Sequence, residues 1–215
     1  MTPARHPGRF VTLEGGEGAG KSTQIRRLAD ALERTGLTVV TTREPGGSPA
    51  AEKIRALLLD PEARWDPPTE ALLHFAARAD HYTTCIAPAL RRGEWVISDR
   101  FADSTRAYQG YGLGLDLTVI DTLYEIALGD FRPDLTIVLD LPVERGMERI
   151  GRREGAADRY ERMDPAFHER LRRGFLAIAE AEPERCIVID ADSDPDTVFG
   201  RIVACIGNRL GVTAS

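Results

Sequence analysis

The run Gly15-Gly16-Glu17-Gly18-Ala19-Gly20-Lys21-Ser22 constrains this chain more than any other stretch. It fits G-x-x-x-x-G-K-[ST], a loop that works only between a strand and a helix. Both flanks are present. The apolar stretch Arg9 to Leu13 precedes it, and Lys21 to Arg34 follows with Ile25, Leu28 and Leu32 on one side and Gly36 as a stop. In that setting the backbone N–H groups curl around phosphate oxygens, and the helix N-terminus adds partial positive charge. Gly15, Gly16, Glu17, Gly18, Ala19, Gly20, Lys21, Ser22 and Thr23 are therefore the expected nucleotide-binding residues. Lys21 reaches the β- and γ-phosphates, and the Ser22 hydroxyl ligates Mg²⁺. The competing reading is a glycine-rich turn that binds nothing. It is weak because Lys21 and Lys53 are the only lysines in the chain, so lysine abundance does not explain the match. The loop by itself implies nucleoside triphosphate binding, which GTPases, partitioning ATPases and small-molecule kinases share.

Short apolar runs continue to alternate with helical periodicity. Leu37 to Thr42, Trp95 to Ser98, Leu135 to Leu139 and Cys186 to Ile189 read as further strands. Helices are expected near Ala51 to Leu59, Thr69 to Arg92, Leu117 to Leu128, Val143 to Arg149, Pro165 to Ala181 and Asp196 to Leu210, with a loop at Gln109 to Gly114. Near-continuous apolar strands between helices indicate a parallel sheet covered on both faces. The expected fold is α/β: a P-loop three-layer sandwich with a five-stranded parallel sheet, formed by residues 1–215 as one domain. Ligands in such sheets bind at the carboxyl ends of the strands, so chemistry is expected in the loops that leave them.

The net charge of −6 argues against a nucleic-acid polymer as partner but leaves a small anionic substrate open. Three scattered cysteines and four histidines form neither a disulfide frame nor a zinc cluster. No apolar run has membrane length. A cytoplasmic protein without a membrane partner is the expectation.

The acceptor side has several candidates, each with a bland rival. Asp99-Arg100 follows a strand, where a carboxylate can organise Mg²⁺-bound water and a guanidinium can grip phosphate oxygens. Arg43 ends the second strand as another phosphate clamp. On the helix after Thr69, His74 and Arg78 are four apart and Phe75 and Arg78 three apart, so a ring stands beside a guanidinium. That pair could hold a base, or Phe75 could be core and Arg78 solvated. Ser104-Thr105-Arg106-Ala107-Tyr108-Gln109-Gly110 offers hydroxyls and an amide to a base edge and a sugar, or is a plain surface loop.

Taken together, FVTLEGGEGAGKSTQ (10–24), TREPGG (42–47), Leu57 to Leu59, Ala76 to Arg78, DRFADSTRAYQG (99–110), GDFRPD (129–134) and Asp158-Arg159 resemble the thymidylate kinases over nearly the whole length. The resemblance implies transfer of the ATP γ-phosphate to dTMP, with Mg²⁺ as cofactor. It implies that Arg43 and Arg100 hold the dTMP phosphate and that Asp99 positions that phosphate and the metal. Arg78 and Thr105 would address the thymine edge, with Gln109 and Ser104 nearby, and Tyr108 would crowd the deoxyribose. Family members are usually homodimers. Where the family stacks a phenylalanine on thymine this chain has His74, with Phe75 next to it. His74, at the family's spacing from Arg78, is expected to be the stacking ring.

The Arg-rich stretch about 149–162 reads as a mobile lid, against the alternative of a solvated charged helix end. The family has one type with an arginine in the phosphate loop and another with it in the lid. Glu17 stands in this loop, so the lid type is implied, with Arg153 the first choice and Arg149 the second as the arginine that meets the transferred phosphoryl. Glu17 is itself expected to organise donor and acceptor sides. The rival readings are a kinase for another nucleotide or a deoxynucleoside, whose base would be Glu14 or Asp99, and an ATP-dependent switch or partitioning protein.

Overall fold

A computed structural model describes residues 8–152 and 159–212. Five parallel strands form the sheet: β1 (Phe10–Glu14), β2 (Val39–Arg43), β3 (Trp95–Asp99), β4 (Leu135–Asp140) and β5 (Cys186–Asp190). Their order is β2-β3-β1-β4-β5. The central strand β1 is followed by the phosphate loop, which places that loop at the middle of the carboxyl edge.

Alternation along the strands sorts the two faces. Val11 and Leu13, Trp95 and Ile97, and Leu135, Ile137 and Leu139 turn to one side. They pack there against α1 (Lys21–Arg34) and α9 (Pro195–Leu210). Phe10 and Val96 turn to the other side, against α3 (Pro67–His81), α4 (Ala87–Arg91) and α6 (Leu117–Leu128). Val138 faces α8 (Pro165–Ala181) on that same side. Interspersed with these apolar residues, Thr12, Glu14 and Thr136 point into the second face and are fully buried. Thr12 and Thr136 are register partners, and their hydroxyls lie 2.8 Å apart. The remaining helices, α2 (Pro49–Leu59), α5 (Ala102–Thr105) and α7 (Val143–Gly151), frame the carboxyl edge.

Helix starts follow one local rule. Ser48, Asp66, Asp164 and Asp194 each cap a helix through their side chains, and each is followed by proline at the first helical position. Proline gives up an N–H that has no helical partner there, and the cap satisfies another. This starts α2 and α3 two residues before the apolar periodicity does.

Two expectations need correction. The single helix Thr69 to Arg92 is divided by a π-helical turn at Tyr82–Ile86. Pro88 lacks an N–H and would crowd the carbonyl four residues back, and the wider turn relieves that. Thr83 and Thr84 also donate their hydroxyls to Ala79 O and Asp80 O inside the same turn. The stretch expected as a loop, Ser104 to Gly114, is largely helical: α5 runs into a π-helical turn at Arg106–Gly112. That turn packs against α8 and is buried at Ala107, Tyr108, Gln109 and Gly110. Thr105, Tyr108 and Gln109 thus stand on one side of a helical turn.

Candidate active site

The carboxyl edge of the sheet opens into a cleft of about 720 Å³. The phosphate loop forms one wall. At Gly15 (φ +133°) a Cβ would lie 2.4 Å from Leu139 O, and at Gly18 (φ +72°) 2.4 Å from Gly146 O. Only glycine lets the loop lie this close to β4 and α7. Lys21 Nζ donates to Gly15 O and Gly16 O, both at 3.0 Å, so the ammonium is held over the loop. Burial and then Arg100 lower its pKa. Ser22 Oγ donates to Asp99 Oδ2 at 2.8 Å, joining the start of α1 to the end of β3.

Arg100 reaches from the end of β3 to the phosphate loop. Its backbone is left-handed (φ +72°), rare for a residue with a Cβ and costing on the order of 1–3 kcal/mol. The turn is held by Glu14, whose carboxylate accepts from Phe101 N (2.7 Å) and Ser104 Oγ (2.6 Å). So placed, Arg100 donates to Gly15 O (3.0 Å), Ser104 Oγ (3.2 Å) and Glu17 Oε1 (2.8 Å). Tyr108 donates its hydroxyl to the same Glu17 oxygen. Burial would raise the Glu17 carboxyl, but Arg100, Lys21 and the Tyr108 bond outweigh it and hold it at about 2. Glu14 goes the other way: burial and the nearby Asp103 push it up to about 7.

The far wall is built by α3 and the helical turn after α5. Arg78 is almost fully buried. Its Nε donates to Glu44 Oε2 (2.6 Å) and its Nη2 to Phe101 O (3.1 Å). Glu44 also meets His81 Nδ1 (2.9 Å), and His81 Nε2 meets Thr42 Oγ1 (2.7 Å), so a buried chain ties α3 to the end of β2. Three buried polar atoms in this wall have no partner among the described residues: Arg78 Nη1, Thr105 Oγ1 and Gln109 Oε1. Buried polar groups are almost always paired, so orphaned ones in a cleft wall mark where a ligand's polar atoms fit.

The two rings separate cleanly. His74 lines the cleft, while Phe75 does not. Phe75 packs with Phe10, Val96 and Phe101, edge-on to Tyr124 at 6.2 Å, and Arg78 Cζ lies 4.8 Å from its centroid. Burial, then Arg78 and Arg100, push the His74 imidazole down to about 3, so it is neutral. Arg43 lines the cleft mouth, paired with Glu52 at 3.1 Å and more than half exposed. Arg149 leans on the phosphate loop, donating to Gly18 O (3.4 Å) and Ala191 O (3.2 Å). Arg153 and Asp158 lie outside the described residues.

Sequence reading missed Glu70, Glu44 and Tyr160. Glu70, His74 and Arg78 form an i, i+4, i+8 stripe along α3, which the helical period could have revealed. Glu70 is fully buried and accepts from Arg159 Nη1 (2.5 Å) and Tyr160 OH (2.7 Å).

The fold and this cleft define a P-loop nucleotide-binding protein with a second, polar wall facing its phosphate loop. The thymidylate kinase family model matches residues 13–202. The chain is 56% identical over 206 residues to the thymidylate kinase of Caulobacter vibrioides, covering 95% of this chain and 99% of that one. It is 51% identical to the thymidylate kinase of Bradyrhizobium diazoefficiens, over 94% of this chain and 90% of that one. The crystal structure of thymidylate kinase from Ehrlichia chaffeensis superposes with a TM-score of 0.75 at 36% identity, covering 93% of this chain and 99% of that one. The chain belongs to the thymidylate kinase family. The resemblance read from the sequence and the α/β fold expected with it are both borne out.

Proposed function

We propose that this chain, as one domain, transfers the γ-phosphate of ATP to dTMP, giving ADP and dTDP. One observation carries the reading: a single cleft holds Lys21 and Ser22 on one wall and the orphaned Arg78 Nη1, Thr105 Oγ1 and Gln109 Oε1 on the other. Donor phosphates and an acceptor base can therefore be held at once, which is the main catalytic contribution in phosphoryl transfer.

The phosphate loop and Lys21 hold the ATP phosphates. A phosphate oxygen of dTMP attacks the γ-phosphorus, and the bond to the β–γ bridging oxygen breaks, leaving that electron pair on ADP. The attacking oxygen is already anionic, so no strong general base is required. Arg100 and Arg43 orient the acceptor phosphate. Arg78 donates to a base carbonyl, Thr105 and Gln109 face the base edge, and His74 stacks on it. Tyr108 sits against the deoxyribose, and Glu17 links Arg100 to Tyr108 across the two subsites. The lid arginines Arg149 and Arg153 neutralise charge on the transferring group. Ser22 Oγ and Asp99 are hard oxygen donors side by side, a set that fits Mg²⁺ held mainly by phosphates and water. When bound, Mg²⁺ supplies charge neutralisation across the β- and γ-phosphates.

A free deoxynucleoside acceptor would need a base. The Glu14 carboxylate does not line the cleft and is taken up by Phe101 N–H and Ser104. Asp99 is bonded to Ser22. The partner proposed is a second copy of this chain, covering the exposed Leu57, Leu72, Val119 and Ile126 of α2, α3 and α6. No described helix is long and apolar enough to cross a membrane, and a cytoplasmic location is proposed. A coupled ADP-release assay with dTMP, dUMP, dCMP, dGMP and dAMP tests the function. Preference for dTMP is expected. Preference for another monophosphate, or turnover with none, overturns it and favours the rival kinase or the switch.

A further inference from the structure

Gln109 is fully buried, and its two amide atoms have opposite fates. Nε2 lies 3.4 Å from Tyr160 OH, and Oε1 has no partner among the described residues. An amide can be turned over at almost no steric cost, so something must decide which atom faces the cleft. Tyr160 decides it. Its hydroxyl has one proton, and Glu70 Oε1, which also accepts from the Arg159 guanidinium, takes that proton at 2.7 Å. The Tyr160 oxygen can then only accept, so the Gln109 atom facing it must be the NH₂, which leaves Oε1 as the unpaired atom of a residue that lines the cleft. The same logic fixes His74, whose Nε2 lies 3.2 Å from Tyr160 OH: that nitrogen carries the proton.

We infer that Tyr160, with its proton committed to Glu70, is a positioning residue for base specificity, fixing Gln109 so that the wall presents an acceptor beside the Arg78 donor. The inference rests on the dTMP-kinase reading and deepens it. A donor at Arg78 Nη1 and an acceptor at Gln109 Oε1 match a base with a carbonyl next to a ring N–H, as in thymine. Cytosine presents an amino group and a bare ring nitrogen at those places, so both contacts mismatch. Sites built on such buried pairs discriminate strongly, because a wrong ligand leaves polar groups unpaired. Turning the amide over would remove one of the two mismatches.

The test is the ratio of kcat/KM for dTMP to that for dCMP at saturating ATP. Tyr160→Phe is expected to lower this ratio about tenfold or more, the scale of one buried hydrogen bond. The ATP KM should stay close to wild type, and the melting temperature should fall by about 2–10 °C, the scale of a lost buried hydrogen-bond partner. In a Gln109→Ala background the same change should leave the ratio alone, since Tyr160 acts through the amide. An unchanged ratio in Tyr160→Phe, or an equal fall in both backgrounds, overturns the inference while leaving the dTMP-kinase reading intact. A wild-type chain that phosphorylates neither nucleotide overturns both.

Discussion

Arg100 Nη2 lies 2.8 Å from Glu17 Oε1, although the two residues are 83 positions apart. One is the acid inside the phosphate loop, the other the first arginine after β3. Tyr108 donates to the same oxygen, and Glu17 is held at about 2, so it stays ionised at any working pH. Glu17→Gln would remove the charge that orients Arg100 and leave a weaker acceptor for Tyr108. We expect kcat to fall about tenfold or more and the dTMP KM to rise, while the ATP KM changes little. Steady-state kinetics varying each substrate decide it. A variant with normal kcat and normal dTMP KM removes this role from Glu17.

The adjacent rings of α3 should fail in different ways. His74 lines the cleft and Phe75 fills the core against Phe10, Phe101 and Tyr124. His74→Ala is expected to raise the dTMP KM about tenfold, as lost aromatic contact and stacking would. Phe75→Ala should cost about 3–5 kcal/mol of stability, or roughly 10 °C in Tm for a chain of this size. Parallel Tm and KM measurements settle the assignment. A dTMP KM that rises strongly only for Phe75→Ala, with Tm retained, would reverse it.

These two rings also show what the sequence could convey. The spacing of His74 and Phe75 to Arg78 gave two faces of one helix but not which face met the core. That depended on Phe10, Phe101 and Tyr124 coming together from distant segments. The place of the phosphate loop between β1 and α1, by contrast, was legible, because its signal is local: glycines, a lysine and a hydroxyl between a strand and a helix. The Ser104 to Gly110 stretch read as a loop because its glycine and its tyrosine lack strong helical propensity. Packing against α8 overrides that preference and makes it a buried helical turn. The burial of Glu14 and of Glu70 was hidden for a different reason. A carboxylate looks like surface in a sequence, and only its donors, Phe101 N–H and Ser104 for one, Arg159 and Tyr160 for the other, explain its burial.

Arg149 and Arg153 give a third expectation. Arg149 reaches Gly18 O and Ala191 O, so it already rests on the phosphate loop. Moving that guanidinium onto a transferring phosphoryl exchanges two carbonyl contacts for charged oxygens. Arginines acting on that group are worth about 10³-fold or more. Single Arg149→Ala and Arg153→Ala variants should therefore include at least one with kcat reduced about tenfold or more at saturating ATP and dTMP. Two variants with kcat near wild type would remove the charge-neutralising role from both.

Glu14 and Glu17 make opposite contributions to stability as pH changes. Burial first, and Asp103 second, raise Glu14 to about 7, from an ordinary value of 4.5. Between those values the folded chain holds a proton that the unfolded chain has lost. Stability from this group is therefore full below about pH 4.5, declines as pH rises, and is gone above about pH 7. Glu17 is depressed to about 2, so its contribution is present above about pH 4.5 and is lost only as pH falls toward 2. The two windows do not overlap. Glu14→Gln cannot titrate, so the Tm difference between wild type and this variant should shift steadily against wild type from about pH 5 to about pH 7 and then level off. Histidines and the other carboxylates common to both chains cancel in the difference. Glu17→Gln should leave that profile unchanged over the same range. A wild-type-minus-Glu14→Gln difference that is flat from about pH 5 to about pH 8 would mean that Glu14 is ionised throughout, and that the Arg100 turn is held by a charged carboxylate.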